Sequence, residues 1–379
     1  MSLSAINNGD TGLSARTKIN AAFEAIDAKG AMPNDAQLLY VDSVNGSDAT
    51  GDGTAAKPFA SAQQARTYSL AHGSNHVFAL MPNHSSYPIS LPGGASCKFF
   101  TPAPGLTTLA ATITSDGTVT LTDVANESVL VTLSRATGLS TVRFDVYQCK
   151  VTGASLNGST GANGTKGTLG DQGAMGDTDQ DGQPGGTGGV GNGGGAGTSG
   201  GFIYAYQGTI TGSISLIGGN GGNGGDGGDG GQGGQGGMID ISVGTNGGAG
   251  GDGGLGSTGG PGGGAGGLVC FDTRIIAAAI AADTGAGGAG GEGGQPGSGG
   301  GGQGGGMQGS PGNLGDSGVP GDPGSTFGAH EFTRCFDHQS VFTGTYTVTH
   351  YGCVNRGVTF GGGASITDYG TLNDTAFTA

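Results

Sequence analysis

Between residues 218 and 237 the chain reads GGNGGNGGDGGDGGQGGQGG, Gly-Gly-X triplets in unbroken phase whose third positions are Asn220, Asn223, Asp226, Asp229, Gln232 and Gln235. A flexible linker has no need of a strict period. A polyproline II-type helix, with three residues per turn and a rise of about 3.1 Å, does, because each residue class then forms its own edge. Such a helix has no internal hydrogen bonds, so its N–H and C=O groups must find water or a neighbouring strand of the same kind. Two bare Gly edges admit that neighbour, and the polar third edge points outward. Ordering glycine costs more backbone entropy than ordering any other residue. A lone rod would melt, so a bundle of mutually bonded rods is the expected arrangement.

The period extends well beyond this run. From 158 to 200 every third residue is Gly except Asp179, and from 306 to 324 the triplets GMQ, GSP, GNL, GDS, GVP and GDP follow without a break. A looser tract, GGAGGDGGLGSTGGPGG, occupies 247–263. Two packings compete: an intramolecular polyglycine II bundle and collagen-like threads wound from three chains. Proline is sparse in the tracts, mainly Pro311, Pro320 and Pro323, which favours the bundle. A disordered linker is the third reading, on composition alone.

With 92 Gly in 379 residues and no Trp, an ordinary core cannot be spread over the whole chain. Residues 1–157 and 327–379 are conventional in composition, and the middle is not. The net charge of −15, from 13 basic and 28 acidic residues, argues against a nucleic-acid groove, which needs clustered Lys and Arg. The opening MSLSAINNGD has no charged and apolar signal pattern, and nowhere do apolar residues run together at membrane-spanning length, so neither classical secretion nor membrane spanning is expected. Cys97, Cys149, Cys270, Cys335 and Cys353 are far apart and without CxxC spacing, and read as buried thiols of a chain made in a reducing cytosol.

In GDTGLSARTKINAAFEAID, Ile19, Phe23 and Ile26 recur at helical spacing behind turn residues, predicting one short amphipathic helix that must bury its stripe on something larger. Gly-Asp-x-Gly followed by Arg16, Lys18, Ile19, Asn20 and Phe23 resembles the N-terminal attachment segment of bacteriophage tail fibres and tailspikes. That resemblance implies a virion-attachment role for Arg16, Lys18, Ile19 and Phe23. Residues 38–65, LLYVDSVNGSDATGDGTAAKPFASAQQA, predict a strand ending at Val41, a turn-rich loop, and a helix-compatible stretch after Pro58-Phe59. Tyr40-Val41-Asp42, Asn45-Gly46-Ser47-Asp48, Gly53, Lys57-Pro58-Phe59 and residues 62–65 resemble the opening of pectate-lyase-like right-handed β-helix domains. The resemblance implies that this segment caps the open end of the first rung.

Further on, alternating runs over 118–124, 129–133 and 142–149 predict many short strands. Val142-Arg143-Phe144-Asp145, Val269-Cys270-Phe271-Asp272 and Arg334-Cys335-Phe336-Asp337 echo one another. As a rung repeat, each Phe would stack inside and the three Asp would line one outer face; as chance dipeptides they would share nothing. FIYAYQGTITGSISLI, MIDISV and LVCFDTRIIAAAIAAD, the apolar pieces between the glycine tracts, are expected to anchor the bundle. Glycine tracts alternating with apolar segments across 158–325 resemble the long-tail-fibre tip adhesins of T-even phages, which implies presentation of variable loops to a host receptor.

Carboxylate chemistry on a glycan would need an acid and a base held as a pair. Asp145, Asp272, Glu331 and Asp337 are the candidates, none in a motif that sets a partner. His330, His338 and His350 near Cys335 match no zinc spacing. Asp42, Asp48 and Asp52 with Asn45 form an oxygen-rich turn that could hold Ca²⁺, although turn chemistry explains them better. No nucleotide cradle and no cofactor motif is present.

The expected fold is mainly β: a right-handed parallel β-helix-like body with an inserted polyglycine II bundle and a short N-terminal α-helix. Its divisions are an attachment segment at 1–36, a β-helix cap and first rungs at 37–157, a glycine-rich region at 158–326 and C-terminal strands at 327–379. The expected function is that of a phage virion protein, a tail fibre or tailspike made in the host cytoplasm that recognises a host surface. Its partners would be a phage tail, baseplate or fibre protein through the N-terminus and a host glycan or outer-membrane receptor, with no nucleic acid, in a homotrimer. The alternatives are a polysaccharide depolymerase and an ice-binding or other polyglycine adhesin.

Overall fold

The computed structural model describes residues 38–374 apart from 74–75, 83–85, 103–106, 179, 238–243, 326–328, 345–346 and 362–364. The predicted N-terminal helix with Arg16, Lys18, Ile19 and Phe23, and the apolar piece MIDISV, lie outside the described residues.

Period-two runs become strands that bury every second side chain, as in Thr108–Ile113 and Gly117–Asp123. Among the described residues these strands form two parallel sheets, of 10 and 11 strands. The chain alternates between them. Gly117–Asp123, Val142–Tyr147, Phe202–Tyr206, Gly267–Phe271, Ala329–Thr333, Thr347–Tyr351 and Ser365–Tyr369 follow in order across the first sheet. Leu130–Arg135, Lys150–Ser155, Thr209–Ser215 and Arg274–Ala281 lie between them in sequence and belong to the second. One apolar core runs from Leu39 to Phe360, with Phe99, Phe144, Phe332 and Phe342 fully buried. The strands inside the glycine-rich region are therefore part of the same core as those before and after it.

The segment after Val41 folds as its residues predict. Strand Leu38–Val41 leads into the turns, and helix Ala62–Ala71 starts at Ser61, whose side chain accepts from the Gln64 N–H. Phe59, Ala62 and Ala65 enter the core beside Leu39 and Val41.

A tight corner joins the sheets in each later turn of the chain, and its first residue is left-handed: Gln148 (φ 56°), Gln207 (55°), Asp272 (48°), Arg334 (53°), Gly352 (59°) and Gly370 (66°). The N–H groups of the first five corners bond to the next strand, as Gln148 does to the Tyr206 carbonyl (2.8 Å) and Gln207 to the Phe271 carbonyl (3.0 Å). The ladder holds four non-glycine residues in a conformation that costs about 1 kcal/mol each.

Three consecutive turns of the chain each send an out-and-back excursion from the second sheet to the first. The six extended segments are rods 1 (158–177), 2 (180–200), 3 (218–237), 4 (244–266), 5 (283–301) and 6 (306–325). The parallel ladder of the second sheet runs into them unbroken: the Leu156 N–H donates to Ser215 (2.9 Å), Gly158 to Ile217 (2.7 Å) and Gly161 to Asn220 (2.8 Å). Rods 1, 3 and 5 run one way, and rods 2, 4 and 6 return.

Rod 3 bonds to four neighbours. Its first glycines donate to rod 5, as Gly227 does to Glu292 (2.7 Å); its second glycines donate to rod 2, as Gly228 does to Gly189 (2.7 Å). Its X carbonyls accept from rod 1, as Asp226 does from Gly167 (2.8 Å), and its glycine carbonyls accept from rod 4, as Gly228 does from Gly254 (2.7 Å). All of these bonds lie within one chain. Where rods 1 and 2 meet the body, Arg135 donates Nη1 to the Ser199 carbonyl (2.7 Å) and Nη2 to the Leu139 carbonyl.

Position in the bundle explains the triplet type. Inner rods 3 and 4 carry two glycines in nearly every triplet, Gly256-Ser257-Thr258 being an exception, because backbone faces them on both sides. Edge rods 1 and 6 keep one, and Pro311, Pro320 and Pro323 stand on the free side of rod 6, where a missing N–H leaves no carbonyl unpaired. The collagen-like phase of these two tracts thus marks an edge and not a triple helix.

No glycine of 218–237 has positive φ, so glycine is required there by contact and not by conformation. A Cβ on Gly227 would stand 1.9 Å from the Gly254 carbonyl oxygen, whereas one on Gly301 would meet nothing within 4 Å. Gly227→Val is therefore expected to cost at least about 4 kcal/mol in chemical denaturation or to prevent folding. Gly301→Ala should leave the midpoint nearly unchanged, and Asp226→Ala should cost no more than about 1 kcal/mol, the loss of one exposed hydrogen bond; equal tolerance at 227 and 301 would refute the packing.

Candidate functional site

The two outer faces of the bundle are grids of side chains, spaced about 9 Å along each rod, three residues at 3.1 Å, and about 4.8 Å between rods. On the outgoing face the rows follow from the hydrogen bonds between rods and include Asn163–Asn223–Ala289 and Lys166–Asp226–Glu292. The polar X groups are not idle. Asn220, Asn223, Asp226 and Asp229 each use Oδ1 to accept the N–H of the X residue opposite on rod 5, at 2.9–3.1 Å. The Gln295 N–H, with Lys166 at 3.1 Å, holds the Asp229 carboxyl below its usual range. The side chains fasten their own face, and the second oxygen of Asp229 also takes the Lys166 ammonium.

The returning face is fastened in the same way. Asp181, Asn246 and Asp252 accept N–H groups from the next rod. Between them stand exposed apolar side chains, Val190, Leu255, Met307 and Val319. The outgoing face likewise exposes Leu169 and Met175 of rod 1, so both faces mix apolar groups with amide and carboxylate oxygen.

On the body, the outer side of the first sheet carries aromatic rings at the last residues of its strands, the end opposite to where rod 2 re-enters before Phe202. Tyr147, Tyr206 and Phe271 stack at 4.6 and 5.2 Å with ring planes 7° apart. Arg143 lies 3.6 Å over the Tyr204 ring and pairs with Asp145 (Nε–Oδ1 2.6 Å). Aromatic and charged groups gathered on an exposed sheet are suited to recognition.

The candidate carboxylates do not converge. Asp145 lies on the first sheet, bound bidentately by Arg143. Asp272 sits at a corner, bound by Arg334 (2.7 and 2.6 Å), which holds its carboxyl below the usual range. Glu331 is exposed on the first sheet, and Asp337 is buried in the second. The three Phe-Asp dipeptides are not equivalent, which corrects the rung-repeat reading. Phe144 points inward and pairs with Ile203, Phe271 points outward beside Tyr206, and Phe336 is in the other sheet. The real repeat is the corner: Tyr147-Gln148-Cys149, Tyr206-Gln207-Gly208, Phe271-Asp272-Thr273, Thr333-Arg334-Cys335, Tyr351-Gly352-Cys353 and Tyr369-Gly370-Thr371. Its signal is an aromatic or Thr, a left-handed residue and a small buried one. Irregular spacing, caused by the rods, hides it.

Asp42, Asp48 and Asp52 each serve a separate turn. Asp42 Oδ1 accepts from the Val44 and Asn45 N–H groups, Asp48 Oδ1 from Ala60 and Ser61, and Asp52 Oδ1 from Thr54. The oxygens face their own backbones and form no shared cage. Among the described residues no three His, Cys, Asp or Glu side chains converge as metal ligands. All five cysteines are buried and unpaired, and burial pushes the Cys97 thiol up to about 12. His330 is buried, its Nδ1 accepting the Leu268 N–H (3.0 Å), and desolvation lowers it to about 4, so it stays neutral. Among the described residues no helix is long and apolar enough to cross a membrane.

Comparison with family models, with curated proteins and with solved structures returned no match.

Asp337 is 2% exposed, and among the described residues neither carboxylate oxygen has a hydrogen-bond partner, although Ser340 and the His338 N–H stand near; burial pushes it up to about 7. The folded state therefore holds this proton more tightly than the unfolded chain, whose Asp titrates near 3.9. The associated stability is full below about pH 4 and is lost as pH rises to about 7. Asp337→Asn is expected to raise stability above pH 8 by about 2–4 kcal/mol, and to change little at pH 4, in urea titrations at both values. A variant no more stable at pH 8 would refute this.

Proposed function

We propose that the chain is a surface-recognition protein of a bacteriophage virion, a tail fibre or tailspike. In this reading the two parallel sheets are the flanks of a right-handed β-helix, the handedness that crossovers between parallel strands adopt almost without exception. The six rods are a polyglycine II bundle displayed from its side. The observation that carries the reading is the fastening of all six rods, by backbone hydrogen bonds within one chain, to three successive turns of the body. A rod of 20 residues spans about 60 Å, so the bundle holds two patterned faces and its turns at a fixed distance from the core. Rigid display lowers the ordering cost of binding.

The attachment-like residues Arg16, Lys18, Ile19 and Phe23 supply the link to a tail, and a homotrimer would multiply weak contacts into avidity. A host-surface glycan or an outer-membrane receptor is the partner. The charged row Lys166–Asp226–Glu292 supports this over ice binding, which calls for a flat, uncharged face.

If the reading holds, the chain is found by mass spectrometry in purified tailed-phage particles, and antibody raised against the full chain blocks their adsorption to host cells. A chain absent from the particles, or adsorption unaffected by saturating antibody, would exclude it.

A further inference from the structure

The aromatic column on the first sheet has a missing member. Strand register places Tyr147, Tyr206, Phe271, Thr333, Tyr351 and Tyr369 in one outward line. Rings stack wherever they are adjacent: Tyr147 on Tyr206, Tyr206 on Phe271, and Tyr351 on Tyr369 at 5.1 Å and 7°. Thr333 interrupts the stack. Neighbouring strands stand about 4.8 Å apart, so the Phe271 and Tyr351 rings are about 9.6 Å apart across it. Each has one face covered by its stacked neighbour and the other turned toward the space above Thr333.

The rim of that space is polar. On one side Arg334, the corner residue after Thr333, is held by Asp272 through Nε and Nη2. A guanidinium has five N–H donors, so others remain for a ligand. On the other side Glu331, two residues earlier on the same strand, points outward and is exposed. Two apolar ring faces with a donor at one edge and an acceptor at the other describe a site for a ring that is apolar above and below and polar around its circumference.

We propose that the gap above Thr333 is a binding slot for one pyranose ring of a surface glycan, inserted between Phe271 and Tyr351 with its hydroxyls reaching Glu331 and Arg334. Thickness selects this occupant. A flat ring in van der Waals contact on both sides, at about 3.5–4.0 Å each, spans at most about 8 Å and leaves the slot loose. A chair pyranose projects axial C–H groups from both faces and fills it. The surface-recognition reading enters only as the source of the sugar; the slot is defined by register and ring geometry.

The test uses the full chain with methyl β-D-glucopyranoside, methyl β-D-galactopyranoside, methyl α-D-mannopyranoside and N-acetylglucosamine. Binding is read by saturation-transfer NMR and by tyrosine fluorescence, which no Trp obscures. At least one sugar is expected to bind in the millimolar range. Thr333→Tyr, which completes the column with a ring already accommodated at Tyr206 and Tyr351, should weaken it at least tenfold while leaving the melting temperature equal or higher. Tyr351→Ala should weaken it comparably, and Glu331→Gln severalfold. No binding by any pyranoside, undiminished binding by the Thr333→Tyr variant, or preference for phenol over every pyranoside would overturn the proposal. If antibody fails to block adsorption while Thr333→Tyr abolishes sugar binding, the slot stands and the virion reading falls. If adsorption is blocked and no sugar binds, the slot alone falls.

Discussion

A glycine-rich backbone with no internal hydrogen bonds must place its N–H and C=O groups on other strands, and this requirement shapes the molecule. Rod 3 satisfies it with four neighbours. The lateral spacing of such rods matches that of parallel β-strands, so a strand can pass into a rod without breaking the ladder, as it does from Ser155 through Leu156 to Gly158. The body therefore templates the bundle: three turns of the chain already in register launch three rod pairs already in register. This offsets the entropy of ordering glycine, because alignment is set before the rods pair.

The same constraint divides labour between backbone and side chains. Inside the bundle nearly all cohesion is backbone to backbone, Ser257 adding a hydroxyl that accepts the Gly225 N–H and donates to the Asn192 carbonyl. On the outer faces the X residues are released from packing and can vary, subject to one role: Asn or Asp at 220, 223, 226 and 229 accepts the N–H of the neighbouring rod. A scaffold insensitive to the identity of its display positions suits a protein that must meet changing surfaces. The body differs, since its later rungs admit polar groups to the interior. Asp337, Asn355, His330 and His350 are all buried there, in places where most earlier strands hold Val, Leu and Phe. An early strand holds one such group too, Asp123, whose carboxyl burial pushes above its usual range while Ser128 and the Val129 N–H donate to it.

Much of this could be read along the chain. The strict triplet phase implies rods that pair through bare glycine edges, and period-two runs imply short strands. The turn residues after Val41 imply the loop that precedes the helix at Ala62. The corner repeat was hidden because its members, such as Tyr206-Gln207-Gly208 and Phe271-Asp272-Thr273, are separated by rod insertions of unequal length. The Phe-Asp echo was visible but misleading, since a shift of three residues in register, an odd number, places Phe144 in the core and Phe271 outside.

By itself the sequence determined the local conformations: where the backbone has a period of three, where a period of two, and which edges are bare. These follow from steric rules acting within a few residues. Only the tertiary structure decided which rods are neighbours, and hence that single-glycine triplets mark edges and double-glycine triplets the interior. It alone brought Thr333 between Phe271 and Tyr351, residues 62 and 18 positions away by register. Register between strands depends on the length of everything inserted between them, and no local rule of the chain encodes that sum.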